Sequence, residues 1–173
     1  KNIKIFEKNE FIDLRQISST QLSVIYLYFH IESEKLYAVK CFNDIRLRDR
    51  EKNNYTRINY PFIPTFYGTI KDNNESLVIE FINGQTLYDA IENKNELNVN
   101  QKIEIIIEIL HTFEYLHKNN FVYRDLKPNN LMLDMNNRIV LIDFNEMINI
   151  KEKIDENDLI FTIDLASCYI DPK

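Results

Sequence analysis

Two short segments in the second half of the chain constrain its fold and chemistry more than any other feature. Residues 123–130 and 141–145 place four polar side chains on two loops that flank a predicted β-hairpin. These side chains are Asp125, Lys127, Asn130 and Asp143. Carboxylate and amide oxygens bind Mg²⁺, a lysine cation neutralises a phosphoryl group, and a second carboxylate accepts a hydroxyl proton. The pattern therefore predicts a site for phosphoryl transfer from a magnesium nucleotide.

Length and composition indicate a globular domain. The chain has 173 residues, 45% of them hydrophobic, which is enough to bury a core. The net charge is −6 and the basic residues are scattered, so we expect no nucleic-acid or membrane surface; the oligomeric state stays open. Two isolated cysteines, Cys41 and Cys168, favour an intracellular, cytoplasmic location. Because the chain starts at Lys1, we expect it to be a piece of a longer protein or an incomplete gene product.

The first half of the chain alternates apolar and polar residues as strands do. Five strands are predicted, over residues 11–18, 23–31, 35–42, 66–70 and 76–82. Residues 44–59 are charged, and Glu51, Tyr55 and Ile58 recur there at helical spacing. We therefore predict a helix that turns these three residues inward. Five strands and one helix form a small α+β layer.

After Gly84 the pattern becomes helical. The predicted elements are helices over 86–93 and 99–118 and hairpin strands over 131–133 and 139–142. The long helix has an isoleucine-rich side that we expect to be exposed. Residues 145–170 show no clear period and are predicted to form a loop.

The segments at 123–130 and 143–145 resemble the catalytic and metal-binding loops of eukaryotic protein kinases of the serine/threonine type. The resemblance covers residues 11–173 and stops after the activation segment. It implies an α+β, protein kinase-like fold. Residues 1–82 would form a five-stranded N-lobe with one helix, and residues 83–173 an incomplete, mainly helical C-lobe. It also implies ATP and Mg²⁺ as cofactors and a protein substrate with a serine or threonine hydroxyl.

The resemblance assigns roles to the loop residues. Asp125 would orient and deprotonate the substrate hydroxyl, on a loop braced by Arg124, and Lys127 would reach the γ-phosphate. Asn130 and Asp143 would hold Mg²⁺. A hydrophobic column between the lobes is expected from four aromatic residues, Tyr55, Phe66, Tyr123 and Phe144.

The resemblance also implies a nucleotide pocket in the N-lobe. Lys40 would contact the α- and β-phosphates and pair with Glu51, although a lysine ending a strand and a charged helix residue are also common surface features. The resemblance further implies that the side chains of Ile17, Ile25 and Ala38 face the purine and that the backbone of Glu80 and Ile82 forms hydrogen bonds with the adenine edge. Met132 is the remaining implied nucleotide contact. A plain strand followed by a glycine turn is equally compatible with residues 77–84.

Several positions depart from the family pattern. Ser18, Thr20 and Ser23 stand where the glycine-rich loop belongs, which weakens the expectation of tight nucleotide binding. Asn145 replaces the glycine after Asp143-Phe144; because asparagine tolerates positive φ, we expect the turn to survive in a stiffer form.

Two functions therefore stay open. The first is a serine/threonine protein kinase domain, because the metal, base and lysine positions are all retained. The alternative is a pseudokinase or degenerate kinase remnant that serves as a nucleotide-binding or protein-interaction module. The missing part of the C-lobe favours it, and so do the departures from the family pattern at Ser18, Thr20, Ser23, Asn145 and Lys173.

Overall fold

A computed structural model describes residues 3–71, 75–94 and 97–152. The part of the predicted loop from residue 153 to 170 and the end of the resemblance at residue 173 lie outside the described residues. A six-stranded sheet occupies the first part of the chain, in the spatial order β1-β5-β6-β4-β3-β2. Its strands are β1 (Lys4–Glu7), β2 (Phe11–Ser19), β3 (Ser23–His30), β4 (Lys35–Phe42), β5 (Phe66–Lys71) and β6 (Ser76–Glu80).

The five predicted strands are confirmed, but the prediction of five strands in the sheet is wrong because β1 adds a sixth. β1 pairs with β5 in parallel, with Lys4 opposite Gly68. Gly68 has a φ of 148°, and a Cβ at this position would overlap the carbonyl oxygen of Lys4. With four residues and only Phe6 buried, β1 is too short to show a strand period in the sequence.

The predicted helix is present as α1 (Ile45–Arg57). The Asp44 side chain caps its first turn by accepting a hydrogen bond from the backbone N–H of Arg46. Glu51 and Tyr55 are buried, as their spacing predicted, and Ile58 is buried just beyond the helix end. α1 thus presents one side of its surface to the sheet and to the loops described below.

The rest of the chain combines helices with short strands. Its elements are β7 (Gly84–Thr86), α2 (Leu87–Glu92), α3 (Val99–Lys118), β8 (Phe121–Val122), β9 (Leu131–Asp134), β10 (Ile139–Leu141) and β11 (Ile148–Asn149). They form one sheet in the order β10-β9-β7 and a pair β11-β8. The two helices and the hairpin were predicted. β7, β8 and β11 were not, and β11 makes the prediction of a loop over 145–170 wrong at residues 148 and 149.

One hydrophobic core runs from the sheet into the loops that follow α3. Its most deeply buried members include Leu77, Leu116, Tyr123, Phe144 and Met147. The core therefore joins β6, α3 and both polar loops, so the loops rest on packed side chains. The division of the chain at residues 82 and 83 stays a prediction.

The isoleucine-rich side of α3 is exposed, as predicted. Ile103, Ile106 and Leu110 each expose half or more of their surface. In the described part of the chain, no helix has the length and apolar character that a membrane crossing requires.

Candidate active site

A cleft of about 710 Å³ lies between β2–β4 and the loops that follow α3. The predicted site residues that line it are Ile17, Ile25, Ala38, Lys40, Glu51, Glu80, Ile82, Lys127, Asn130, Met132 and Asp143. Asp125 lies just behind this lining, hydrogen-bonded to Lys127 and Asn130. Arg124 instead contacts Glu146. The structure thus brings the predicted residues together around one cavity, except for Arg124, which is not part of its lining.

Strand periodicity places the lysine in the cleft. Side chains two residues apart in a strand share a face, so Ala38 and Lys40 on β4 point the same way. Lys40 lies opposite Ile25 of β3, and Ala38 lies opposite Ile79 of β6. These apolar neighbours line the same cavity and exclude water from the stem of Lys40.

Lys40 forms ion pairs with two carboxylates. Its Nζ lies 2.6 Å from Oε2 of Glu51 and 3.2 Å from Oδ1 of Asp143. The Lys40 and Glu51 side chains are 4% and 0% exposed. Burial opposes the charged form of Lys40, but the carboxylates of Glu51 and Asp143 outweigh it and raise the pKa of Lys40 above its ordinary value. The ammonium group therefore stays charged at neutral pH.

The Lys40–Glu51 contact is the one predicted from the sequence, and it joins residues only 11 apart in the chain. α1 supplies it because Glu51, Asn54 and Tyr55 follow one another at i, i+3 and i+4 and so share a helix face. That face is turned toward the cleft and the loop after β10.

The catalytic-loop residues hold one another in place. Oδ2 of Asp125 accepts hydrogen bonds from Nζ of Lys127 and from Nδ2 of Asn130, both at 2.7 Å. Nδ2 of Asn130 also donates to the backbone oxygen of Asp125 at 3.0 Å. Oδ1 of Asp125 accepts no hydrogen bond from any described residue. It is therefore open to a hydroxyl proton.

Arg124 fixes this loop to the next one. It adopts a left-handed φ of 70°, and its Nε donates to the backbone oxygen of Glu146 at 2.6 Å. Its side chain is 4% exposed. The bracing expected of Arg124 is thus directed at residue 146 of the next loop.

The loop after β10 carries the second candidate metal ligand. Asp143 has a φ of 62°, and its Oδ1 accepts hydrogen bonds from Lys40 and from the side-chain amide of Asn145. Its Oδ2 accepts none from the described residues. The left-handed residue of this turn is Asp143, so Asn145 does not use the tolerance of positive φ on which the expectation of a stiffer turn was based. The stiffness of the turn stays a prediction.

An aromatic column passes behind the cleft, as predicted. Tyr55 stacks on Phe66 with ring centroids 5.8 Å apart and meets Phe144 edge-on at 5.1 Å. Tyr123 meets Phe144 edge-on at 5.5 Å. Burial, followed by the nearby charges of Asp143 and Asp125, raises the pKa of Tyr123, so its hydroxyl stays protonated and donates to the carbonyl of Ile142.

The turn between β2 and β3, where Thr20 and Ser23 stand in place of glycines, forms hydrogen bonds within itself. The Thr20 hydroxyl accepts hydrogen bonds from the backbone N–H groups of Leu22 at 3.2 Å and Ser23 at 3.1 Å. The backbone N–H of Thr20 donates to the carbonyl of Ser23 at 2.9 Å. Three N–H groups of the turn are thus already bonded within it.

The polar groups near Asp143 suit a small divalent cation. Mg²⁺ is usually held by one or two protein oxygens together with phosphates and water. Oδ2 of Asp143 is available, and the amide of Asn130 turns its nitrogen toward Asp125, which leaves its oxygen as an acceptor. Asn130 and Asp143 therefore remain the candidate metal ligands.

Sequence reasoning missed Asn54. This residue is buried on α1, and its Nδ2 donates to the carbonyl oxygens of Phe144 at 2.8 Å and Met147 at 2.9 Å. It ties the helix that carries Glu51 to the loop that carries Asp143. The available signal was a polar residue three positions after Glu51, on the inward face of the predicted helix.

Comparison with known proteins identifies relatives across most of the chain. Residues 11–167 match the family described as the protein kinase domain. The chain is 31% identical over 147 residues to a cGMP-dependent protein kinase of Plasmodium berghei, covering 80% of this chain and 17% of that protein. It is 30% identical over 144 residues to the cAMP-dependent protein kinase catalytic subunit of Dictyostelium discoideum, covering 78% and 22%.

A third relative is the serine/threonine-protein kinase sgk-1 of Caenorhabditis elegans, 28% identical over 147 residues. The match covers 79% of this chain and 32% of that protein. The chain therefore spans a third or less of the length of these curated relatives. With the matched domain covering most of its residues and the fold agreeing, the chain belongs to the protein kinase family.

Proposed function

We propose that the protein is a serine/threonine protein kinase that transfers the γ-phosphoryl group of ATP to protein hydroxyls with the help of Mg²⁺. The observation that carries the proposal is the convergence of Lys40, Glu51 and Asp143 with the hydrogen-bonded set of Asp125, Lys127 and Asn130. A cation and free carboxylate oxygens in one cleft are what phosphoryl transfer requires. An intracellular, cytoplasmic location is part of the proposal.

The proposal gives each residue a role. Lys40, directed by Glu51, binds the phosphates, and the backbone of Glu80 and Ile82 receives the adenine edge between the apolar side chains of Ile17, Ile25, Ala38 and Met132. Oδ1 of Asp125 accepts the proton of the substrate hydroxyl, while Lys127 neutralises the transferred group. Asn130 and Asp143 would hold Mg²⁺, and the ion would supply charge neutralisation on the phosphate oxygens.

The substitution Asp125→Asn tests the proposal. It keeps the hydrogen-bonding shape but removes the proton acceptor, so we expect phosphate transfer to fall by about 10²–10⁴-fold with little change in ATP affinity. Transfer of labelled γ-phosphate to a serine- and threonine-containing protein measures the rate in the intact protein. Asp13→Asn on the exposed surface of β2 is the matched control. Transfer by Asp125→Asn at the wild-type rate would refute the role of Asp125.

A second candidate is a nucleotide-binding or interaction module without turnover. The observation that favours it is the β2–β3 turn, whose N–H groups are bonded within the turn by Thr20. Under this alternative, ATP with Mg²⁺ shifts the thermal unfolding midpoint of the intact protein, but no phosphate reaches any hydroxyl substrate. Phosphate transfer that depends on Asp125 excludes it.

A further inference from the structure

Asn145 stands one residue after the aromatic residue of the metal-binding loop and contacts the candidate metal ligand directly. Its Nδ2 lies 3.2 Å from Oδ1 of Asp143, and its backbone N–H points to the same oxygen at 3.4 Å. The ammonium of Lys40 is the third donor to this oxygen, at 3.2 Å. Oδ1 of Asp143 therefore faces three N–H donors.

A carboxylate oxygen has about two lone-pair sites. The donors from Lys40 and Asn145 occupy the sites on Oδ1, whereas Oδ2 accepts no hydrogen bond from the described residues. Under the proposed function Lys40 turns to the phosphates when a nucleotide is bound. The side-chain amide of Asn145 is then the shortest donor left on Oδ1, and a cation at this oxygen would have to displace it. The two oxygens of Asp143 are thus unequal as metal ligands.

The amide of Asn145 has no alternative position of equal quality. The residue is 7% exposed, and its Oδ1 is buried without a hydrogen-bond partner among the described residues. Flipping the amide would place its oxygen against the carboxylate of Asp143, where two acceptors repel. The backbone on both sides is also held, because Asn54 binds the carbonyls of Phe144 and Met147.

We infer that Asn145 is a positioning residue that restricts Asp143 to a single divalent cation at Oδ2. The inference rests on the proposed function. In protein kinases two Mg²⁺ ions are held by this aspartate and the catalytic-loop asparagine. A glycine at position 145 brings no side chain to Oδ1, whereas the amide of Asn145 occupies the oxygen that a second cation needs.

The test counts the metal ions retained with a bound nucleotide. Equilibrium dialysis of the protein against Mn²⁺ and a non-hydrolysable ATP analogue gives the ratio of bound Mn²⁺ to bound nucleotide. We expect a ratio of about one for the wild-type chain and about two for Asn145→Ala and Asn145→Gly, since each removes the amide. The exposed Asn53→Ala is the matched control and should stay near one. Unfolding midpoints without ligand verify that each variant folds.

The outcomes separate the inference from the proposed function. A wild-type ratio of two, or a ratio of one in Asn145→Ala, overturns the inference while nucleotide binding stands. A ratio of two in Asn145→Gly alone assigns the effect to backbone freedom and also overturns it. If neither the folded wild-type protein nor any folded variant binds the nucleotide analogue, the proposed function and the inference are overturned together.

Discussion

The β2–β3 turn and the two loops after α3 line the same cleft, but they use their polar groups in different ways. In the turn, Thr20 accepts hydrogen bonds from two backbone N–H groups and donates a third from its own backbone. In the loops, Oδ1 of Asp125 and Oδ2 of Asp143 accept nothing from the described residues. Groups already bonded in the protein gain little from a ligand, because binding exchanges one hydrogen bond for another.

The difference shows how a binding site is preserved in part. The loops keep open oxygens because their bracing contacts use the other atoms of the same side chains, as Asp125 shows with Lys127 and Asn130. The turn has small polar residues in place of glycine, and the Thr20 hydroxyl closes on the nearest backbone donors. The side of the cleft with the candidate metal ligands therefore has oxygens open to a ligand, whereas the N–H groups of the β2–β3 turn are already bonded.

The largest expected effect comes from breaking the ion pair on the metal side. Lys40→Met leaves Glu51 buried without its cation, and we expect the free energy of unfolding to fall by about 3–5 kcal/mol. Urea denaturation measures the change. Lys52→Met is the control, because its pair with Glu75 at 2.7 Å is partly exposed and contributes only about 0–1 kcal/mol. Equal losses in the two variants would contradict this account.

The double variant Lys40→Met with Glu51→Leu sharpens the result. Removing both charges eliminates the unpaired carboxylate, so most of the lost stability should return. ATP affinity should not return with it, since the cation that we propose binds the phosphates is still missing. Recovery of both would show that Lys40 has no part in nucleotide binding.

The second expected effect concerns Asn54, which binds the loop that carries Asp143 to α1. Asn54→Leu keeps the number and branching of the side-chain heavy atoms but leaves the buried carbonyl of Met147 without this donor, which costs about 1–3 kcal/mol. Asn53→Ala on the exposed side of α1 should change stability by less than about 0.5 kcal/mol. Chemical denaturation of both variants checks the difference. A stable Asn54→Leu variant would mean that water replaces the lost donor.

The third effect concerns the turn. Thr20→Gly removes the hydroxyl that binds the N–H groups of Leu22 and Ser23, so these become available to phosphate oxygens. Each hydrogen bond is worth about 0.5–1.5 kcal/mol, so ATP affinity should rise by about 2–10-fold. Titration with a fluorescent ATP analogue and Mg²⁺ measures it. Thr20→Ser keeps the hydroxyl and should bind ATP with the wild-type affinity. Weaker ATP binding by Thr20→Gly would show that the hydrogen bonds of the turn do not compete with the phosphates.

The smallest expected effect concerns the turn between β9 and β10, away from the cleft. Like the β2–β3 turn, it forms hydrogen bonds within itself. Asp134 accepts hydrogen bonds from the backbone N–H groups of Asn136 and Arg138 and from the Arg138 side chain. Burial raises the pKa of Asp134, but these hydrogen bonds outweigh it and lower the pKa below its ordinary value of 3.8. The stabilisation is therefore present above pH 3.8 and is lost as the pH falls through the folded-state pKa.

Asp134→Asn should reduce the free energy of unfolding at pH 7 by less than about 1 kcal/mol, because the paired Arg138 is exposed and screened by solvent. The difference from wild type should shrink below pH 3.8. Urea midpoints between pH 7 and pH 3 measure it. ATP affinity should not change, in contrast to Thr20→Gly, and a change would mean that the two turns are coupled.

The sequence predicted the long elements well because their periods extend over enough residues to be recognised. The strands from β2 to β6, α1, α3 and the hairpin were all identified in this way. The strands that were missed have two to four residues and depend on a partner elsewhere in the chain. Both glycines of the chain, Gly68 and Gly84, lie where such a short strand meets its partner closely.

By itself, the sequence determined which chemical groups the cleft contains, since the type and spacing of Lys40, Asp125, Asn130 and Asp143 are local properties of strands and loops. Only the tertiary structure decided which atoms of those groups stay open. That choice depends on partners far apart in the chain, such as Lys40 and Asp143, which are 103 residues apart, or Asn54 and Phe144, which are 90 apart. Hydrogen bonds of this kind form after packing, and no periodicity in the sequence records them.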